Sequence, residues 1–199
     1  MDTNQEFTPP NSQPGHYEGE VAAATVASQL SGPLTALAGS AFVSGVTSGL
    51  LEFLQRSPVR QVHVAGTAAW GQHAALAVAT IVILSVACAR HRQRFGPRSG
   101  RLWLLAPLGR HAALRVARAL GFGGEAARPG RVLLALPAAA LLLFCFWRAG
   151  VQVTGGLDPN FTVDAWGGPS YAGAMACHYL DLFLLASGAA WLMDRILPA

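Results

Sequence analysis

The chain has 199 residues, of which 52% are hydrophobic and only 12% are charged, and its mean hydropathy is +0.38. Average soluble proteins carry about 25% charged residues, so this chain lacks the charge that covers a globular surface and has the composition of a membrane protein. Its net charge is +4 and all 14 basic residues are arginine; most lie in one loop beside apolar segments, which favours membrane orientation over nucleic-acid binding.

The N-terminal segment is polar and differs from the rest of the chain. Residues 1–20 contain three prolines and four acidic residues, and such a segment cannot bury enough apolar surface to offset its ordering entropy. It is predicted to be a disordered tail. Residues 21–32 are rich in alanine and form either a short interfacial helix or part of the first span. Residues 21–199 as a whole are predicted to form a single transmembrane domain.

Four apolar segments are each long enough to cross a bilayer as a helix. The predicted spans are 33–54, 64–88, 130–149 and 169–193. In the first span, Ala41, Gly45 and Gly49 repeat at intervals of four. This spacing is either a face that lets another helix approach closely or ordinary use of small residues.

The loop between the second and third spans is predicted to contain an amphipathic helix at 108–120. At about 100° per residue, Arg110, Arg115 and Arg118 share one side of this helix and small apolar residues share the other. A basic amphipathic helix of this kind lies at an anionic lipid surface, so these arginines are predicted to bind lipid headgroups. The alternative is a solvated helix that packs on the protein.

The distribution of arginine predicts the orientation. Residues 89–131 carry ten arginines, against Arg56 and Arg60 in the loop between the first two spans. The positive-inside rule places the arginine-rich loop, and with it both termini, in the cytoplasm. We therefore expect an all-α protein of the cell membrane, a four-transmembrane-helix bundle with a cytoplasmic amphipathic segment.

Asp181 is the most informative polar residue, because an aspartate at the centre of a span costs at least about 2.5–3.5 kcal/mol. His178 lies three positions earlier, on the same helix face. His73 and His178 are each nine residues inside their predicted spans, about 13 Å deep, so they are expected to meet across the bundle. Glu52 and Gln72 are expected to extend this polar site.

Several functions are compatible with such a site. It is either a purely structural contact, a proton-coupled or solute-conducting site, or a haem or divalent-metal site held by His73, His178 and Asp181. An enzyme is less favoured, because the chain contains no GxSxG, HExxH or Walker A motif. We expect a transport-related protein or an accessory subunit of a membrane complex, working as an oligomer or with other membrane subunits. The alternative is a membrane redox protein with haem or a metal.

The loop before the fourth span contains two aromatic residues, Trp166 and Tyr171, and the sequence WGGP. The aromatic residues are expected to be interfacial anchors, with a loop that folds back over the bundle as the alternative. His63, near the outer boundary, is expected to be solvated.

Overall fold

The computed structural model describes residues 30–95, 107–122 and 126–197, so the predicted tail at 1–20 and most of 21–32 lie outside the described residues. The described residues form helices, which we number in chain order, and they contain no strand. These helices are α1 (Gly32–Leu54), α2 (Trp70–Phe95), α3 (Arg110–Ala119), α4 (Pro129–Gly155), α5 (Pro159–Thr162) and α6 (Tyr171–Ile196). Four of them are long and apolar enough to cross a membrane, which confirms the predicted all-α class with four spanning helices.

Two helix boundaries differ from the prediction. Residues 64–69 carry no charge and were assigned to the second span, but Gly66 and Ala69 have positive φ angles of 92° and 47°, which an α-helix does not accept. The second helix therefore begins at Trp70. The third extends six residues beyond 149, to Gly155. Residues 150–155 carry no charge, so they can continue the spanning helix.

Helices α1 and α4 pack through glycine. A methyl group added at Gly45 or Gly49 would overlap the backbone carbonyl oxygen of Trp147 or Val151 in α4, and one added at Gly150 would overlap the carbonyl of Phe42. Two helix backbones approach this closely only where side chains are absent. The small-residue face predicted for the first span is confirmed, and its partner is the third span.

A hydroxyl group reinforces this contact: Thr154 Oγ1 donates to the Val46 carbonyl at 2.9 Å. On its other side α4 contacts α6, where Tyr179 donates to the Ala149 carbonyl at 3.2 Å and Tyr171 to the Val153 carbonyl at 3.3 Å. Helix α4 is therefore the central helix of the bundle.

Helix α2 lies at the periphery. Its backbone makes few close approaches to the other described helices. Most of its large apolar side chains are exposed, as in Val78, Ile81, Val82 and Ile83. These residues suit a lipid-facing surface, and the polar contacts near its first turn, described below, hold α2 to the bundle.

Helix α3 packs across one end of the bundle, which we call the arginine end. Ala119 is buried with Ala135 of α4 and Leu197, which follows α6. Arg115 forms an ion pair with Asp194 of α6, and the Ser31 amide donates to the Leu108 carbonyl at 2.8 Å. The apolar face of the predicted amphipathic helix therefore packs on the protein.

Candidate functional site

The opposite end of the bundle, the loop end, is built from residues 55–69 and 156–170. Hydrogen bonds join these two loops at several points. Asn160 accepts from the Gln61 amide at 2.9 Å and donates to the Val59 carbonyl at 2.9 Å. The amide of Val64 donates to Asp164 at 2.8 Å, and the amide of Gly167 donates to the Ala68 carbonyl at 2.6 Å. The loops form one unit above the helix ends.

His63 is part of this unit. Its Nδ1 lies 2.6 Å from the Val163 carbonyl oxygen and 3.2 Å from Asp164 Oδ1, and its side chain is 35% exposed. A carbonyl oxygen only accepts hydrogen bonds, so Nδ1 carries a proton. His63 is exposed, as expected, and its ring is also paired with the second loop, which folds against it.

His73 in the first turn of α2 is buried, with only 8% of its surface exposed. Its Nδ1 lies 3.0 Å from the carbonyl oxygen of Ala69, the residue with the left-handed φ. Its Nε2 lies 3.3 Å from Oδ2 of Asp181 in α6. Because α2 begins later than predicted, His73 is only three residues into its helix, yet it is level with Asp181, ten residues into α6.

These two contacts bear on the number of protons that makes the arrangement of His73 and Asp181 favourable. The Ala69 carbonyl accepts, so Nδ1 of His73 carries a proton, and in a neutral imidazole Nε2 would then present a lone pair. A lone pair facing a carboxylate is repulsive, so the contact is attractive only when a further proton lies between Nε2 and Oδ2. It makes either an imidazolium beside a carboxylate or a neutral imidazole beside a carboxylic acid. We call His73 and Asp181 the proton-sharing pair.

Trp166 covers this pair from the loop end. Its ring centre lies 5.2 Å from that of His73, at an interplanar angle of 47°. Gly167, with a φ of 79°, turns the chain directly after Trp166, and a methyl group there would overlap the Gly173 carbonyl. The loop folds back over the bundle, which is the alternative interpretation of the WGGP sequence. Trp166 remains 52% exposed.

Two polar residues of α4, Arg148 and Gln152, were not predicted as site residues. Arg148 is one residue from the end of the third span as predicted, 130–149, but α4 continues seven residues beyond it. The arginine is half-buried, with its guanidinium carbon 5.2 Å from the ring centre of Phe161. Gln152, one turn on, is 1% exposed, and its Oε1 has no hydrogen-bond partner among the described residues. If the third span is extended to Gly155, both residues fall inside the helix. That longer span is the sequence signal by which they could have been predicted.

His178 is half-buried one turn before Asp181. His178 and Asp181 are three residues apart in α6 and share one face of that helix, so His178 lies on the face of α6 that carries the proton-sharing pair. Glu52 and Gln72 are exposed. The carboxylate of Glu52 lies beside Gly155, and neither residue takes part in the hydrogen bonds of the proton-sharing pair.

The geometry does not assemble a metal site from the predicted ligands. Within the described ranges, no three His, Cys, Asp or Glu side chains are close enough together to hold a metal ion. His73 uses both ring nitrogens for protein contacts, so neither is directed at a haem iron shared with His178. The predicted meeting of two histidines is replaced by a contact between His73 and Asp181.

The arginines predicted to bind headgroups are distributed over α3. Arg110 and Arg118 are exposed, whereas Arg115 pairs with Asp194. A depression of about 290 Å³ is lined by Arg115 and Arg118 together with His111 and Leu114. Binding of anionic headgroups by these arginines stays a prediction.

Comparison of the chain with known proteins gives no match to a family, to a curated protein or to a solved structure.

Proposed function

We propose that the protein is a small integral membrane protein whose His73–Asp181 pair takes up and releases a proton, in a transport-related role or as an accessory subunit of a membrane complex. The proposal depends on one observation, the contact of His73 Nε2 with the Asp181 carboxylate while Nδ1 is held by the Ala69 carbonyl. Aspartate and histidine within membrane helices are typical proton carriers.

Proton release would change the packing of α2. Without the shared proton, a lone pair on Nε2 faces the negative carboxylate, and the attraction between α2 and α6 becomes repulsion. Because α2 makes few other close approaches to the described helices, its first turn would move when the pair loses its proton. The competing interpretation is that the pair only holds α2 in register and never exchanges its proton.

We further propose that the arginine end faces the cytoplasm of the cell membrane, which places the proton-sharing pair in the outer half of the bilayer. The exposed apolar side of α2 would face lipid, a second copy of the chain or another membrane subunit. Arg110 and Arg118 would face anionic headgroups.

The test compares the wild-type protein with Asp181→Asn in liposomes. An asparagine keeps the size of the side chain, and its amide donates to the Nε2 lone pair, so folding is preserved while the titratable carboxyl group is removed. We expect a pH gradient to collapse faster in wild-type liposomes than in empty ones and at least 10-fold more slowly with Asp181→Asn. Asp194→Asn, at the arginine end, is the matched control and should behave as wild type.

Infrared spectroscopy during a pH titration separates the possible outcomes. A carboxylic-acid band that changes with pH and disappears in Asp181→Asn, without proton flux, would assign the accessory role. If the band is insensitive to pH and no flux is detected, the pair is only structural and the proposal is wrong. His73→Gln provides an independent variant, and circular dichroism checks the helix content of each protein.

A further inference from the structure

A second polar site lies at the loop end, away from the proton-sharing pair. A depression of about 390 Å³ is lined by Arg56 and Arg60 of the first loop and by Asp158 and Asn160 of the second, with apolar contributions that include Phe53 and Leu157. A volume of this size is typical of pockets that bind small molecules, which range over about 300–1,000 Å³. Both signs of charge are therefore present in one pocket.

The side chains of this pocket are held in place. Arg56 donates to the Phe53 carbonyl at 2.8 Å, and its guanidinium carbon lies 4.0 Å above the centre of the Phe53 ring. Asp158 Oδ1 accepts from the Asn160 amide at 2.9 Å, and Asn160 joins the two loops. The pocket is built by the same contacts that organise the loop end.

The charges in the pocket do not neutralise one another. In the part of the chain that the structure describes, neither Arg56 nor Arg60 forms an ion pair, and the second carboxylate oxygen of Asp158 accepts no hydrogen bond. Two cationic groups and one anionic group are thus available to a ligand that carries the complementary charges.

The position of the pocket limits the identity of that ligand. Helix α1 ends at Leu54 and α4 ends at Gly155, directly beside the pocket, so it lies at the level where spanning helices leave the hydrocarbon region. Leu54 and Leu157 are exposed at the same level and can contact acyl chains. Phospholipid headgroups occupy this level of a bilayer.

We propose that the pocket binds the phosphoethanolamine headgroup of a phospholipid. Arg56 and Arg60 would bind the phosphate oxygens, for which the planar guanidinium is well suited, and Asp158 would accept from the primary ammonium group. A headgroup without an amine leaves Asp158 unpaired, and a trimethylated ammonium has no hydrogen to donate. The site is independent of the proton-sharing pair and does not rest on the function proposed for it.

The experiment is native mass spectrometry of the full chain in detergent after removal of lipid. The probes are dioleoyl phosphatidylethanolamine, dioleoyl phosphatidylglycerol and free phosphoethanolamine. The variants are Arg56→Ala with Arg60→Ala, Asp158→Asn, and the control Arg90→Ala, which removes an exposed arginine from the end of α2. Asparagine is as good a helix N-cap as aspartate, so Asp158→Asn keeps the start of α5.

We expect the wild type to bind phosphatidylethanolamine at least 10-fold more tightly than phosphatidylglycerol. The double arginine variant should lose this binding at least 10-fold, Asp158→Asn should lose only the preference between the two lipids, and Arg90→Ala should match the wild type. Equal binding of the two lipids by the wild type, or unchanged binding by the double variant with native helix content, would overturn the proposal. Equally tight binding of free phosphoethanolamine would show that the ligand is a soluble amine phosphate and not a lipid.

Discussion

At the scale of single residues, Gln152 is the side chain whose environment fits it least well. It is the largest fully buried side chain described, with 1% exposure, and its Oε1 lacks a hydrogen-bond partner within the described part of the chain. A buried polar atom without a partner costs about 1–3 kcal/mol, whereas an apolar side chain of similar shape does not. Gln152 therefore destabilises the fold unless its Oε1 binds a water molecule or a ligand.

We predict that Gln152→Leu raises the free energy of unfolding by about 1 kcal/mol, measured by denaturant titration in detergent. Gln152→Glu, which places a charge at the same buried position, should lower the stability by a larger amount. If Gln152→Leu is instead less stable than the wild type, Oε1 has a partner such as a bound water or ligand, and the amide has a functional role.

At the scale of helices, the contact between α1 and α4 depends on glycine at particular positions. Gly45 lies against the Trp147 backbone, whereas Gly39, less than two turns earlier in the same helix, has no atom within 4 Å of an added methyl group. The two glycines lie in the same helix, but only Gly45 of the two faces another backbone. They are a matched pair for measuring what close approach contributes.

We predict that Gly45→Ala destabilises the protein by about 1–3 kcal/mol, because the methyl group forces the two backbones apart. Gly39→Ala should be neutral or should stabilise by up to about 1 kcal/mol, through the higher helix propensity of alanine. Thermal unfolding followed by circular dichroism measures both. Equal effects of the two substitutions would mean that the α1–α4 contact is not the determinant of stability.

The segments that form helices were predictable from the sequence, but which helices pack against each other was not. Long uncharged segments identify spans because the bilayer requires them. The identity of the helix that packs on Gly45 depends on three-dimensional packing, and nothing in the spacing of small residues names α4. His73 was expected to meet His178 because depth was counted from residue 64. In the structure His73 is three residues into α2 and Asp181 is ten residues into α6, yet the two are in contact, so counts from the helix starts do not give the relative depth of these side chains.

At the scale of the whole molecule, the two ends differ in charge and in construction. The arginine end carries α3 and its exposed arginines, and the loop end carries the two interlocked loops and both His–Asp contacts. The predicted orientation follows from this asymmetry through the positive-inside rule. This orientation decides from which side of the membrane the proposed proton exchange at His73 would take place.

We predict that Ser57→Cys is labelled by a membrane-impermeant maleimide in intact cells, whereas Arg92→Cys is labelled only after permeabilisation. Both positions are exposed. A Cys88→Ala background removes the native cysteine that is partly exposed, since Cys145 and Cys177 are buried. The reverse labelling pattern would invert the orientation and move the proton-sharing pair to the cytoplasmic half of the bilayer.

The hydrogen bond between Thr154 and Val46 also has a consequence for biosynthesis. The two residues are 108 positions apart, and chains are synthesised at about 5–20 residues per second. On the order of 10 s therefore pass between the synthesis of the glycine face of α1 and that of α4. Helix α2 is made in between and lies at the periphery of the bundle. During that interval the glycine face of α1 lacks its α4 partner and is covered by lipid, by the insertion machinery or by other protein.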